Sequence, residues 1–330
     1  MNLFIFYIFF ELTLLPVFLL ISSWGSREQR FRASYYFFVY TLVGSLAMLL
    51  GLLKIYSEIG SLSVVTLYYV SCEHQAIVVV GFFLSLGVKV PMFPGHLWLP
   101  QAHVEAPLAG SVLLAGVLLK LGGYGIIRFL LPVFAGGMKD VSSVIVSLSI
   151  IAIVYGGVLT IRQTDLKRLI AYSSVSHMGV VTLSLTSQSL EGYSASILIM
   201  LAHGLVSSGL FISVTCLYER FHTRIIRAYK GLSLSMPQLA LLFFLLTLAS
   251  TGTPGSLNFL GEILAFYAFT SNSGSILLVT LVLSTVILSA AYSVNLFTSL
   301  FFGESLSYTY FIRDISRSES VVLWLLSVLA

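Results

Sequence analysis

A helix needs about 20 apolar residues to cross the hydrocarbon core of a bilayer, and this chain carries ten candidate runs, near 1–21, 34–53, 76–100, 108–131, 142–160, 169–187, 193–218, 238–269, 276–302 and 319–330. Composition agrees. The chain is 58% hydrophobic and 9% charged, where a soluble domain carries about 25% charged residues, and its mean hydropathy is +1.00. The expected fold is an all-α polytopic membrane protein of about ten transmembrane helices.

Two of the runs are too long and carry helix-breaking residues. The third reads Lys89-Val90-Pro91-Met92-Phe93-Pro94-Gly95-His96 and the eighth reads Thr251-Gly252-Thr253-Pro254-Gly255-Ser256. Proline removes a backbone donor and glycine permits non-helical angles, so both spans are predicted to be broken helices. Unwound backbone at membrane depth is tolerated only where protein or a wet cavity satisfies it. Paired interruptions in two halves of a chain point to an ion pathway between repeats. The last run is too short to cross unaided.

Basic residues set the orientation. If the spans alternate, twelve Lys and Arg (Arg27, Arg30, Arg32, Arg162, Lys167, Arg168, Arg220, Arg224, Arg227, Lys230, Arg313 and Arg317) fall on one side and three (Lys54, Arg128 and Lys139) on the other. The basic side is expected to face the compartment of synthesis. Because these residues are scattered over short loops instead of forming one face, a nucleic-acid partner is not indicated. Cys72 and Cys216 are too few and too far apart for a disulfide framework or a metal site. Met1-Asn2-Leu3-Phe4 runs straight into apolar sequence with no basic leader or small-residue cleavage site, so neither a secretory signal nor a transit peptide is expected.

Ionisable residues inside the spans are the candidates for function. A charge at the centre of a membrane helix costs about 2.5–3.5 kcal/mol on insertion scales. Glu11, Lys89 and Lys120 each lie roughly 15–20 Å deep at 1.5 Å rise per residue. His177 and His203 fall mid-span, and Glu262 follows the second break. Burial makes a lysine lose its proton more easily, a nearby carboxylate restores the charged form, and altering that pairing moves the proton. Histidine titrates with little help. A row of such groups at one depth describes a proton relay parallel to the membrane.

Simpler roles are open for several of these residues. Glu11 and Lys89 could be a static buried ion pair, although pairing alone leaves Lys120 and Glu262 unexplained. An isolated membrane histidine is often a helix-to-helix hydrogen-bonding residue. His96, His103 and Glu105 surround the end of the third span, where capping and interfacial anchoring with Trp98 compete with proton uptake. His74 and His222 read as solvated loop residues. Ser173, Ser174, Ser176, Ser207 and Ser208 are either packing residues or water holders.

Three longer motifs carry a family resemblance. Lys89-Val90-Pro91 is followed by His96-Leu97-Trp98-Leu99-Pro100-Gln101-Ala102-His103-Val104-Glu105-Ala106-Pro107 and then by Leu118-Leu119-Lys120-Leu121-Gly122-Gly123-Tyr124-Gly125. Asp165-Leu166-Lys167-Arg168-Leu169-Ile170-Ala171-Tyr172-Ser173-Ser174-Val175-Ser176-His177-Met178-Gly179, Ala202-His203-Gly204-Leu205 and Gly261-Glu262 continue the pattern. Together these resemble the antiporter-like membrane-arm subunits of respiratory complex I over almost the whole chain.

The resemblance implies two inverted repeats of about five helices, each with a broken helix, here expected at 1–132 and 142–302, followed by a C-terminal loop and partial helix at 303–330. It implies that Glu11 modulates the Lys89 ammonium, that Lys120 is the central relay lysine, that His177 and His203 occupy hydrated positions, and that Glu262 is the distal group towards the exit. Related subunits and cation/proton antiporters usually carry a lysine at that last position, so Glu262 favours one sibling. The implied activity is proton translocation coupled to NADH-to-ubiquinone electron transfer, as part of the proton-translocating NADH:ubiquinone reductase. FMN, iron–sulfur clusters and ubiquinone are expected on other subunits, with no cofactor and no redox chemistry in this chain. The implied partners are antiporter-like subunits 2 and 5, accessory subunits and membrane lipids. The implied location is the mitochondrial inner membrane, with the basic loops facing the matrix.

Relative to that pattern, about four helices preceding the Glu11 helix are not seen. The first repeat is therefore expected to be incomplete. The missing helices could belong to a separate polypeptide, be lost in this lineage, or reflect the assigned start. The C-terminal helix is likewise expected to be short. Two other functions stand beside the first: a stand-alone cation/proton antiporter subunit, and a structural membrane subunit whose buried charges no longer move protons. The second of these leaves the buried charges without a purpose, since Leu or Gln would insert at lower cost.

Overall fold

The computed structural model describes residues 2–70, 72–273, 276–304 and 313–330, and the side chains of all of these except 272, 273 and 276–278. The first run becomes α1 (Leu3–Leu12) and α2 (Leu14–Trp24), parted at Thr13 where Pro16 deprives the Leu12 carbonyl of its helical donor. Then come α3 (Arg30–Ile59), α4 (Val64–Tyr69), α5 (Gln75–Lys89) and α6 (Trp98–Glu105). The fourth run is one continuous helical rod: α7 (Leu108–Leu113), a π-turn at Leu114–Leu118, α8 (Leu119–Gly125), a second π-turn at Ile126–Leu130, and α9 (Leu131–Val133). Long helices α10 (Ala135–Ile161), α11 (Leu166–Thr186) and α12 (Leu190–Phe221) follow. The chain continues through α13 (Leu232–Ser235), α14 (Pro237–Ser250), α15 (Leu257–Ser273), α16 (Ile276–Phe301) and α17 (Arg317–Leu329).

Local chemistry explains the boundaries. Gly60 closes α3 in the left-handed region at φ 74°. Asp165 and Ser189 accept backbone N–H groups at the starts of α11 and α12. Pro237 occupies the first turn of α14, where its missing N–H costs nothing. Ser316 and Glu319 form a capping box at α17.

Among the described residues, seven helical segments are long and apolar enough to cross a membrane: Leu3–Trp24, Arg30–Ile59, Leu108–Val133, Ala135–Ile161, Leu166–Thr186, Leu190–Phe221 and Val279–Phe301. The third and eighth runs are split, as expected, into α5 with α6 and α14 with α15. The last run is α17, whose 13 residues extend about 20 Å. Part of the expected C-terminal loop, 305–312, lies outside the described residues.

The bundle is organised around α11, whose side chains are nearly all buried. It packs against α10, α12, α6 and α15, while α10 also packs against α5 and α16. Two apolar clusters fill the interior, one running from α1 to α12 and on to α15 and α16, the other joining α11, α12, α14, α16 and α17. Large apolar side chains such as Phe9, Leu50 and Ile287 are exposed on the outer faces, as lipid-facing surface requires.

Two residues expected in loops on the basic side are instead interior. Lys167 is 4% exposed and Arg224 is 2% exposed, because both reach inward to backbone carbonyls at the end of α6. Trp98, His96 and His103 are also fully enclosed instead of anchoring an interface.

Candidate proton pathway

The first break builds the Lys89 site. Carbonyls orphaned at the end of α5 are taken by nearby donors: Leu86 O by Val90 N, Gly87 O by Met92 N at 2.7 Å, and Val88 O by the Trp98 indole Nε1 at 2.8 Å. Lys89 is the last residue of α5, where the helix dipole favours a cation. Its Nζ donates to Phe10 O at 2.6 Å and to Thr13 Oγ1 at 3.3 Å, and lies 3.2 Å from the Phe10 ring centroid. The α1/α2 interruption turns that carbonyl and hydroxyl towards it.

Glu11 makes no ion pair with Lys89 within 4.0 Å. Its Oε1 is buried without a hydrogen-bond partner, and the carboxylate lies beside Ser45 within electrostatic reach of Lys89. The static ion pair is therefore not formed. Lys89 is held by a carbonyl, a hydroxyl and a ring, with Glu11 within electrostatic reach.

Lys120 stands between the two π-turns, which shift the register of the rod on either side of it. Gly122 lets this rod approach the end of α5, since a Cβ there would lie 2.7 Å from Leu86 O. Lys120 Nζ donates to Ala115 O and meets His203 Nδ1 at 3.1 Å. The His203 and His177 ring centroids are 5.8 Å apart. His177 Nδ1 lies 3.6 Å from Glu262 Oε1, and its Nε2 meets the Tyr292 hydroxyl at 3.3 Å.

These contacts constrain the tautomers. An ammonium at Lys120 needs the Nδ1 lone pair of His203, which leaves that ring's proton on Nε2. A carboxylate at Glu262 calls for a proton on His177 Nδ1, and Tyr292 then donates to Nε2. Moving the proton off Lys120 frees His203 to switch its tautomer.

The second break shapes the Glu262 site. Gly252 and Gly255 turn the chain in the left-handed region at φ 68° and 101°. Leu248 O is taken by Thr253 N and Oγ1, and Ala249 O by Asn258 Nδ2 at 3.0 Å. Glu262 folds back onto the break, so a Cβ on Gly252 would lie 2.7 Å from Glu262 Oε2.

The predicted row thus resolves into a local Glu11–Lys89 group and a chain of neighbours Lys120, His203, His177 and Glu262. Among the described residues no hydrogen bond or ion pair joins the two. Ser173, Ser174, Ser176, Ser207 and Ser208 each donate to a carbonyl of their own helix, and His74 and His222 are exposed. Cys72 and Cys216 are free and buried, and no group of three His, Cys, Asp or Glu forms a metal site among the described residues. Thr13 and Tyr292 escape sequence reasoning because a single hydroxyl in an apolar helix carries no signal by itself. Pro16 is the available clue for Thr13.

Residues 1–288 match the family described as NADH:quinone oxidoreductase/Mrp antiporter, TM. The chain is 50% identical to NADH-ubiquinone oxidoreductase chain 4 of Metridium senile, over 98% of this chain and 66% of that protein. It is 43% identical to NADH-quinone oxidoreductase subunit M of Rhodobacter capsulatus, over 92% of this chain and 62% of that protein. The chain spans about two thirds of the length of the curated relatives it matches. Among solved structures, it aligns with a chain of respiratory complex I from Thermus thermophilus with bound NADH at a TM-score of 0.92 and 35% identity, covering 99% of this chain and 70% of that one. The Mrp complex from Dietzia sp. aligns at a TM-score of 0.90 and 22% identity, over 99% of this chain and 70% of that one, a likeness of fold alone.

Proposed function

Because the chain belongs to the NADH:quinone oxidoreductase/Mrp antiporter transmembrane family, we propose that it is a proton-translocating membrane-arm subunit of respiratory complex I. In this reading it couples NADH-to-ubiquinone electron transfer on other subunits to proton movement through Glu11, Lys89, Lys120, His203, His177 and Glu262. The observation that carries it is the buried run Lys120–His203–His177–Glu262, in which a base, two imidazoles and a carboxylate follow one another across α8, α12, α11 and α15. A purely structural bundle gains nothing from that arrangement. Each proton leaving Lys120 passes to a neighbouring imidazole, and Glu262 receives it after His177. Glu11 and Lys89 act as the charge-sensitive partner upstream. The redox cofactors belong to other subunits.

Residues 1–132 and 142–302 serve as the two repeats, each holding one broken helix. The partners are neighbouring antiporter-like subunits 2 and 5, accessory subunits and lipid. The location is the mitochondrial inner membrane with basic loops towards the matrix, consistent with relatives named NADH-ubiquinone oxidoreductase chain 4 at 41–50% identity.

The test is purification in mild detergent through this chain, with mass spectrometry and NADH:quinone activity on one sample. Co-purifying flavin and iron–sulfur subunits with inhibitor-sensitive activity support the reading. A membrane-only assembly without them overturns it in favour of a stand-alone antiporter.

A further inference from the structure

The relay leaves unused a buried polar cluster at the basic end of the first broken helix. Three successive carbonyls ending α6 are taken by groups from distant parts of the chain: Val104 O by the Arg224 guanidinium, Glu105 O by the Ser26 amide, and Ala106 O by Lys167 Nζ at 3.0 Å. Arg224 also donates to Ser26 Oγ. The Glu105 and Asp165 carboxylates and the Arg224 guanidinium act electrostatically on Lys167.

His103 lies at the heart of this cluster. It is 0% exposed, stacks on Phe211 with centroids 4.5 Å apart, and has no hydrogen-bond partner at either ring nitrogen. The charged groups facing it are Lys167 of α11 and Lys120 of α8, and His203 of α12 is within its electrostatic reach. Glu105 is 3% exposed with an unpartnered Oε2, yet it lines a cleft on the basic face together with Gln29, Arg32, Gln101 and Arg168. Buried polar atoms are almost always paired, so unpaired ones signal a role or a transient water. One of the two unpaired groups, Glu105, borders an open cleft, and the other, His103, is within electrostatic reach of the central lysine.

We propose that Glu105, Lys167 and His103 form a proton branch from the basic-face cleft to the Lys120–His203 pair. The branch rests on the relay reading of Lys120. Glu105 takes a proton from water in the cleft and passes it to the neutral Lys167 amine. The Lys167 ammonium gives a proton to one ring nitrogen of His103, which releases the proton on its other nitrogen towards a neutral Lys120. Glu105 and Lys167 then return to their starting forms, His103 is left as its other tautomer and is reset by rotation of the ring before the next proton, and no bond other than N–H and O–H is made or broken. Because His103 has no direct partner, transfer requires bridging water or side-chain rotation, which keeps the branch closed between turnovers. These three are proton-carrying residues, whereas Arg224 and Ser26 position the end of α6.

The test uses the assembled complex in vesicles, with NADH:quinone turnover and pumping recorded across pH. Glu105→Gln keeps shape, His103→Gln keeps polarity, and Lys167→Arg keeps the charge and the donor to Ala106 while holding its proton permanently. The expected result is assembled complexes that lose most pumping and show a pH profile different from that of the wild type. Wild-type pumping with an unchanged pH profile in assembled Glu105→Gln and Lys167→Arg complexes overturns the branch. A parallel Lys120→Ala complex separates the two failures, since full pumping there overturns the relay itself.

Discussion

The two broken helices handle buried charge in opposite ways. At the first break α5 ends on a cation, Lys89, which settles on neutral groups: the Phe10 carbonyl, the Thr13 hydroxyl and the Phe10 ring. At the second break α15 carries an anion in its second turn, Glu262, which meets an imidazole and a glycine that makes room for it. Both charges suit the dipole of their own half-helix. They differ in their connections. Glu262 continues through His177 and His203 to Lys120, whereas Lys89 has no hydrogen-bonded or ion-paired link to Lys120 among the described residues. In the proposed reading, the first break holds a charge that responds to Glu11 and the second receives a proton.

The largest test of that contrast is at Lys120, where the connected side begins. Lys120→Ala is expected to assemble and to lose quinone-coupled pumping by roughly tenfold or more, as removal of a positioned proton carrier does; pumping by reconstituted complex reads this directly. Next is Glu262→Gln, which retains shape but removes the charge facing His177. It is expected to cut pumping severalfold, with NADH oxidation in uncoupled membranes preserved.

Gly252→Ala perturbs the same site sterically. It forces a Cβ into a left-handed residue at φ 68° and to 2.7 Å from Glu262 Oε2, at a cost of about 1–2 kcal/mol from backbone handedness alone. A lower thermal-unfolding midpoint of the assembled complex, with reduced pumping, is the expected outcome. On the disconnected side effects should be smaller. Glu11→Gln is expected to reduce pumping partially and to change its pH profile, because Glu11 reaches Lys89 through space; complete loss would show that Lys89 depends on a direct pair. Thr13→Val removes one long hydrogen bond at 3.3 Å, worth about 1 kcal/mol, and is expected to produce a small change in pumping rate.

Much of this is legible along the chain. Apolar length and the Pro/Gly clusters locate the spans and both breaks, since hydrocarbon thickness and backbone donors obey local rules. The cost of burying charge likewise marks Glu11, Lys89, Lys120 and Glu262 as unusual from their place in apolar runs alone. Lys167 and Arg224 read as loop residues yet lie inside, because sequence distance from an apolar run does not say which way a long side chain turns.

The sequence by itself determined the helical membrane character, the positions of the breaks and the identities of the ionisable residues, because each follows from local hydropathy and backbone chemistry. Only the tertiary structure decided which of them meet. His203 joins Lys120 across 83 positions, and Tyr292 joins His177 across 115. Lys89 turns to the Phe10 carbonyl instead of to Glu11 because the placement of α1 beside the end of α5 brings that oxygen nearer than the carboxylate.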